Sequence, residues 1–266
     1  MASSEMELAP HAMDGRDDTV LMDAWFNSQQ RTNAAGKTEY FHYKWDDFRN
    51  SGFSLLGHVF RSYGVSTGTL YAAPTLKNLE RAQIYMIVSP DIPAKNPHPH
   101  YMQSTDAEQV AEWVKRGGVL VLMENDSSLA DIQHLDLLAD RFGIHFNDVL
   151  VNHVVGNNIP AGRLAVSGNT PVFPGSHIFY MKDTCTISVH SPAVSVVRSR
   201  GNIMIATAKY GRGTVFAVVD PWVYNEYTDG HNLNLPPEYD NFSGAKDLVR
   251  WLIQQIPENR KMATHQ

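Results

Sequence analysis

From Thr19 onward, short unbroken apolar runs alternate with stretches whose apolar residues recur every three or four positions. TVLMDAWFN predicts a first strand, followed by a long polar segment, SQQRTNAAGKTEYFHYKWDDFRNSG. In FSLLGHVFRSYG, Phe53, Leu56, Val59 and Phe60 share a helical face, and Gly64 is placed to end the helix in a left-handed turn. VSTGTLYA predicts a strand, APTLKNLERA a short helix opened by Pro74, and QIYMIVSP a parallel strand covered on both faces. STDAEQVAEWVKRGG predicts a helix capped by Ser104 or Thr105, with Val110, Trp113 and Val114 turned inward. VLVLMEN is the next buried strand, and SSLADIQHLDLLADRFG a helix capped by Ser127 or Ser128 and closed by Gly143.

Beyond Ile144 the pattern becomes short strands broken by Gly, Pro and Asn: HFNDVLVNHVVG, GRLAVSG, CTISVH, AVSVVRS and NIMIATAKYG. GRGTVFAVVDP predicts a turn running into a last apolar strand. SGAKDLVRWLIQQI predicts a closing helix with Leu248, Val249, Trp251, Leu252 and Ile256 on its apolar side. Strands alternating with helices predict an α/β fold, an open and mainly parallel sheet flanked by helices, with an antiparallel β extension in the second half. The expected organisation is a tail or linker over 1–18, one α/β domain over 19–257 and a C-terminal tail over 258–266.

Composition narrows the function. Lys and Arg number 22 against 28 acids, and no basic run is placed to track a phosphate backbone, so nucleic acid is not an expected partner. No apolar stretch reaches the roughly 20 residues that cross a bilayer, and no membrane partner or export signal is expected. A single cysteine, Cys185 in an alternating strand-like run, leaves no internal disulfide framework and no multi-cysteine metal site. No cofactor or metal is expected. His98 and His100 flank Pro99, with no third ligand in a familiar register.

In open α/β sheets ligands bind beyond the carboxyl ends of the strands, so the loops after each apolar run carry the candidates. His42, Trp45, Asp46, Asp47, Asn50 and Ser51 follow the first strand; aromatic faces with carboxylates and amides suit a sugar, and the same acids and serine suit turns and caps. Asp91 follows the third strand. Glu124, Asn125 and Asp126 follow the fourth, with Asp126 equally suited to opening the next helix, where His134 lies. The last loop, DPWVYNEYTDGHN, offers Asp220, Trp222, Tyr224, Asn225, Glu226, Tyr227 and Asp229. Glu124 and Glu226 are the candidate catalytic carboxylates, since paired acids cleave glycosidic bonds at a suitable separation. The remaining candidates are ligand-binding.

The run AKYGRGTVFAVVDPWVYNEYTDG, with FHYKWDDFRNSGFS, APTLKNLERAQIYMIVSPD, WVKRGGVLVLMEND and QHLDLLADRFGIHFN, resembles a glutamine-amidotransferase-like, flavodoxin-type domain. That domain is found at the C-terminus of bacterial unsaturated rhamnogalacturonyl hydrolases, enzymes of pectin breakdown. The resemblance spans roughly residues 19 to 256. It implies an oligosaccharide partner, a helical-barrel glycoside hydrolase domain nearby, and a periplasmic or secreted setting. Two departures limit it. LVLMENDSS stands where true amidotransferases carry a cysteine nucleophile, so glutamine hydrolysis is not implied, and the helical barrel holding the hydrolases' catalytic aspartates is not in this chain. Three functions fit: a carbohydrate-binding module, an independent glycoside-cleaving enzyme, or a structural domain packing on a hydrolase.

Overall fold

The computed structural model describes residues 14–15, 17–228 and 233–261. Its main sheet has nine strands. Strand β1 (Thr19–Asp23) pairs in parallel with β4 (Ser66–Leu70) on one side and β5 (Ile84–Val88) on the other. β5 pairs with β6 (Val119–Met123), and β6 with β13 (Gly213–Val218), again in parallel. The sheet then turns antiparallel through β12 (Asn202–Tyr210), β10 (Thr184–Val189) and β7 (Ile144–Val151), with β11 (Ala193–Ser199) also paired to β12. This is the predicted α/β class with its antiparallel second half.

Every residue of β5, β6 and β13 is buried. Helices must therefore cover both faces. Helix α1 (Ser54–Ser62) packs on α5 (Asn241–Gln254), while α2 (Leu76–Leu79), α3 (Ser104–Lys115) and α4 (Ile132–Ala139) pack on one another in order. Gly143, at φ 76°, ends the turn after α4, where a Cβ would sit 2.1 Å from the His190 carbonyl oxygen.

Local chemistry moved several boundaries. α3 is capped by Gln103, whose side chain and Asp106 form a reciprocal capping box one residue before the expected Ser104. α4 starts at Ile132 with Asp131 as its cap, because Ser127 to Ala130 form a tight turn on the Asp126 carbonyl. Two elements were not expected: the hairpin of β2 (Gln30–Thr32) and β3 (Thr38–Tyr40), which has no apolar signature within the polar segment, and β9 (His177–Tyr180), a short HIFY run that pairs with β8 (Arg163–Val166). The β8–β9 hairpin is held to α5 by His177, whose two ring nitrogens lie 2.7 Å from Asp240 and 2.9 Å from Asp247. At the ends, Gly15 already donates to the Tyr63 carbonyl, and the expected C-terminal tail contains a short helix, α6 (Glu258–Lys261).

Candidate functional site

The carboxyl ends of β1, β5, β6 and β13 meet at one edge, and the loops that follow them build two layers there. The inner layer is closed. Asp23, the last residue of β1, accepts from the Phe26 and Asn27 amides at 2.8 and 3.1 Å and from the Tyr85 hydroxyl at 2.7 Å. Asn27 donates onward to the Val88 and Ser89 carbonyls, tying the first loop to the end of β5. Lys44 reaches in from the polar segment through consecutive left-handed residues, His42 (φ 64°) and Tyr43 (φ 60°). Its buried ammonium donates to the carbonyls of Asp23, Asn27 and His42 and to Asn27 Oδ1. Burial lowers the Lys44 pKa to about 8, offset in part by Asp23, whose own carboxyl is raised by the same burial.

Glu124, directly after β6, is fully buried. Its Oε1 accepts from the Asn125 amide at 2.9 Å, and its Oε2 has no hydrogen-bond partner among the described residues. Burial raises its pKa well above the usual carboxylate range, which favours its protonated form. Cys185, also fully buried on β10, has its thiol pushed up by burial, and no nucleophile is offered there. Asp126 is committed to its turn, accepting from the Ser128 amide at 3.0 Å and from the Ser128 hydroxyl. Asp91 joins the first and third loops, accepting from Gln29 Nε2, the Ser28 amide and Asn96 Nδ2. His134 lies on the first turn of α4, where its Nδ1 meets Asp131 at 2.8 Å and its ring stacks on Tyr101.

In the last loop Asp220 accepts from the Trp222 and Lys182 amides, both at 2.8 Å, and burial raises its pKa to about 7. Asn225 is buried, its Oδ1 holding the Tyr227 and Thr228 amides. Tyr224 packs at 1% exposure against Phe179. Glu226 accepts from the Ser54 hydroxyl and from the Leu55 amide at 2.8 Å, closing the N-terminus of α1. Both candidate catalytic acids are thus buried and already placed, Glu226 as a helix cap and Glu124 as a sealed acid. Trp45 is likewise a core residue, packed edge-on against Phe60 with its indole N–H donated to the Gly68 carbonyl. Asp46 is exposed, and Asp229 lies outside the described residues.

The outer layer is open. A cleft of 620 Å³ is lined by Arg31, Phe41, His42, Phe48, Arg49, Asn50, Ser51 and Trp222. It brings four of the predicted residues, His42, Asn50, Ser51 and Trp222, into one wall. The Trp222 indole donates to the Tyr43 hydroxyl at 2.9 Å, with Lys182 4.8 Å from its ring centre and Tyr227 edge-on beside it. His42 is held by Gln29 at 3.0 Å and stacks on Tyr43, and burial with nearby cations lowers its pKa to about 3, so its imidazole is neutral. Phe48 stands 77% exposed at the rim. Arg31 is spent on Glu39 and Asp47, while the Arg49 guanidinium is bonded to none of the described residues.

Sequence reasoning passed over Lys44, Phe48, Arg49 and Lys182. Phe48 and Arg49 stand in FHYKWDDFRNSG, where the usable signal is an aromatic next to a cation inside a polar loop. The same signal marks Lys44 between Tyr43 and Trp45, yet that residue is buried, so the pattern alone does not separate the two outcomes.

No protein-family profile and no curated protein matches the sequence. Among solved structures the chain is similar to the N-terminal domain of mmIFT52, at TM-score 0.65 and 17% identity, covering 88% of this chain and 97% of that one. It is also similar to a Thermoplasma acidophilum protein provisionally assigned to GMP synthase, at TM-score 0.51 and 11% identity over 90% and 94% of the two chains. A β-galactosidase from Bacillus circulans sp. alkalophilus aligns at TM-score 0.50 and 13% identity, over 90% of this chain and 31% of that one. These likenesses are of fold. They make the architecture glutamine-amidotransferase-like.

Proposed function

We propose that this chain is a non-catalytic carbohydrate-binding module that takes uronic-acid-containing oligosaccharides, such as fragments of rhamnogalacturonan, in the outer cleft. The observation that carries the reading is one open cleft joining Phe41, Phe48 and Trp222 to Asn50, Ser51, His42 and an unengaged Arg49. Ring faces cover the apolar side of a pyranose, amide and hydroxyl groups meet its alcohols, and a guanidinium forks onto a carboxylate. The volume of 620 Å³ suits a short oligosaccharide. A binding role is favoured over catalysis because Glu226 holds a helix end and Glu124 is sealed from solvent.

The resemblance to the C-terminal domain of rhamnogalacturonyl hydrolases supports the same ligand class. In the B. circulans β-galactosidase a region of this fold is part of a longer chain, which supports an accessory role beside a catalytic domain, here of the helical-barrel type. Calorimetric titration with saturated and unsaturated rhamnogalacturonan oligosaccharides, with the sugars checked afterwards by mass spectrometry, tests the reading. Saturable binding of unchanged sugar supports it. New products, lost in Glu124→Gln with the fold intact, would make the protein an enzyme, and no binding at all would return the cleft to the role of a domain interface.

A further inference from the structure

A second cleft, of 480 Å³, lies on the other side of the β2–β3 hairpin. Successive residues of a strand point to opposite faces. Gln30 and Tyr40, which pair across the hairpin, line the second cleft, while the adjacent Arg31 and Phe41 line the first. The remaining wall comes from Ser28 and Gln29 after β1 and from Lys95, Asn96, Pro97, His98 and His100 after β5.

The loop holding Lys95 is firmly built. The Lys95 and Asn96 amides both donate to the Ile92 carbonyl, and Asn96 Nδ2 bridges Ser28 Oγ and Asp91 at 3.0 and 2.8 Å. The His100 ring stacks on Trp25 with centroids 3.7 Å apart, and its Nδ1 donates to the Trp25 carbonyl at 2.9 Å. Yet the Lys95 ammonium has no hydrogen bond or ion pair among the described residues. The acids that attract it are Asp91, Glu124 and Asp126. Asp91 already accepts from three donors and Asp126 Oδ1 from Ser128, and burial favours the neutral form of Glu124, so none of the three is hydrogen-bonded to Lys95. Lys95 is half-buried at the cleft, and burial lowers its pKa despite these acids.

We infer that the Lys95 cleft is a binding site for a small oxyanion, a carboxylate or phosphate group paired to the Lys95 ammonium, with the Gln30 amide, Tyr40 hydroxyl and His98 ring as further donors. It is separate from the outer cleft and does not depend on what that cleft binds. Such a charge-assisted pair supplies the acceptor Lys95 lacks, in a partly desolvated place where the attraction is weakly screened.

The test titrates inorganic phosphate and acetate into the wild-type chain and into Lys95→Met, with Phe48→Ala as the control for the outer cleft. At least one anion is expected to bind the wild type, to weaken about tenfold or more in Lys95→Met, and to be unaffected by Phe48→Ala. The stronger of the two names the ligand's chemistry. Without ligand, Lys95→Met is expected to unfold at the same temperature or higher, because it removes an unpaired, partly buried charge. Absence of binding by both anions, equal binding by Lys95→Met, or a marked fall in its unfolding temperature overturns the inference.

Discussion

The inner and outer layers of the carboxyl edge use similar residues toward opposite ends. Inside, Glu124, Asp220, Asn225 and Glu226 are buried, and most of their polar atoms are turned onto backbone amides or onto Ser54. Outside, on the same loops, Phe48 and Arg49 face solvent, and the Arg49 guanidinium makes no hydrogen bond or ion pair among the described residues. The difference teaches that polar density at a strand end is not itself a site. A carboxylate surrounded by its own chain's N–H groups is framework, whereas an unengaged cation beside an exposed ring is free to meet a ligand.

Breaking the inner layer should cost stability and leave recognition intact. Glu226→Ala strips the N-terminus of α1 of its acceptor and leaves the Ser54 hydroxyl and Leu55 amide without it; a loss of about 2–3 kcal/mol is expected, read as a lower unfolding temperature, with sugar affinity unchanged below it. A large affinity loss in the folded variant would move Glu226 into the site. Glu124→Gln tests the sealed acid by pH. Because the folded chain holds the Glu124 proton while the unfolded chain releases it above the ordinary carboxylate pKa, folding stability should fall as pH rises from that value toward the raised one. The slope from this group is at most about 1.4 kcal/mol per pH unit. Gln cannot titrate, so the variant should gain on the wild type at pH 8 relative to pH 4, although Asp220, raised to about 7, keeps part of the slope in both.

Breaking the outer layer should do the reverse. Phe48→Ala is expected to weaken oligosaccharide binding by about 1 kcal/mol while moving stability by less than about 0.5 kcal/mol, as titration and thermal unfolding on the same sample would show. The smallest effect is expected of Arg49→Ala: about 0.5–1 kcal/mol of affinity for a uronate-bearing sugar at low salt, and none for its neutral counterpart. Equal losses for both sugars would place the guanidinium against hydroxyls rather than a carboxylate.

The parallel half of the sheet was legible because IYMIV and VLVLM are apolar throughout, which only a doubly covered strand requires. The β2–β3 hairpin was not, since QRT and TEY carry no apolar alternation, and its place is fixed by Arg31 bonding to Glu39 and Asp47 instead. Of the predicted site residues, His42, Asn50, Ser51 and Trp222 converge on one cleft, while Trp45, Tyr224 and Glu226 are drawn into packing and capping. Residue type could not separate these outcomes, because a tryptophan or a glutamate serves either purpose.

The sequence by itself determined the alternation of strands and helices in the parallel half, the edge where polar loops gather, and the lack of a cysteine after β6. Those are properties of local pattern, carried by periodicity and by residue identity at a strand end. Only the tertiary structure decided which polar groups spend their hydrogen bonds on the chain and which stay free. That depends on the backbone groups each side chain meets across the fold, such as Glu226 at α1 or Lys44 beneath β1, and burial then sets which of them carries a charge.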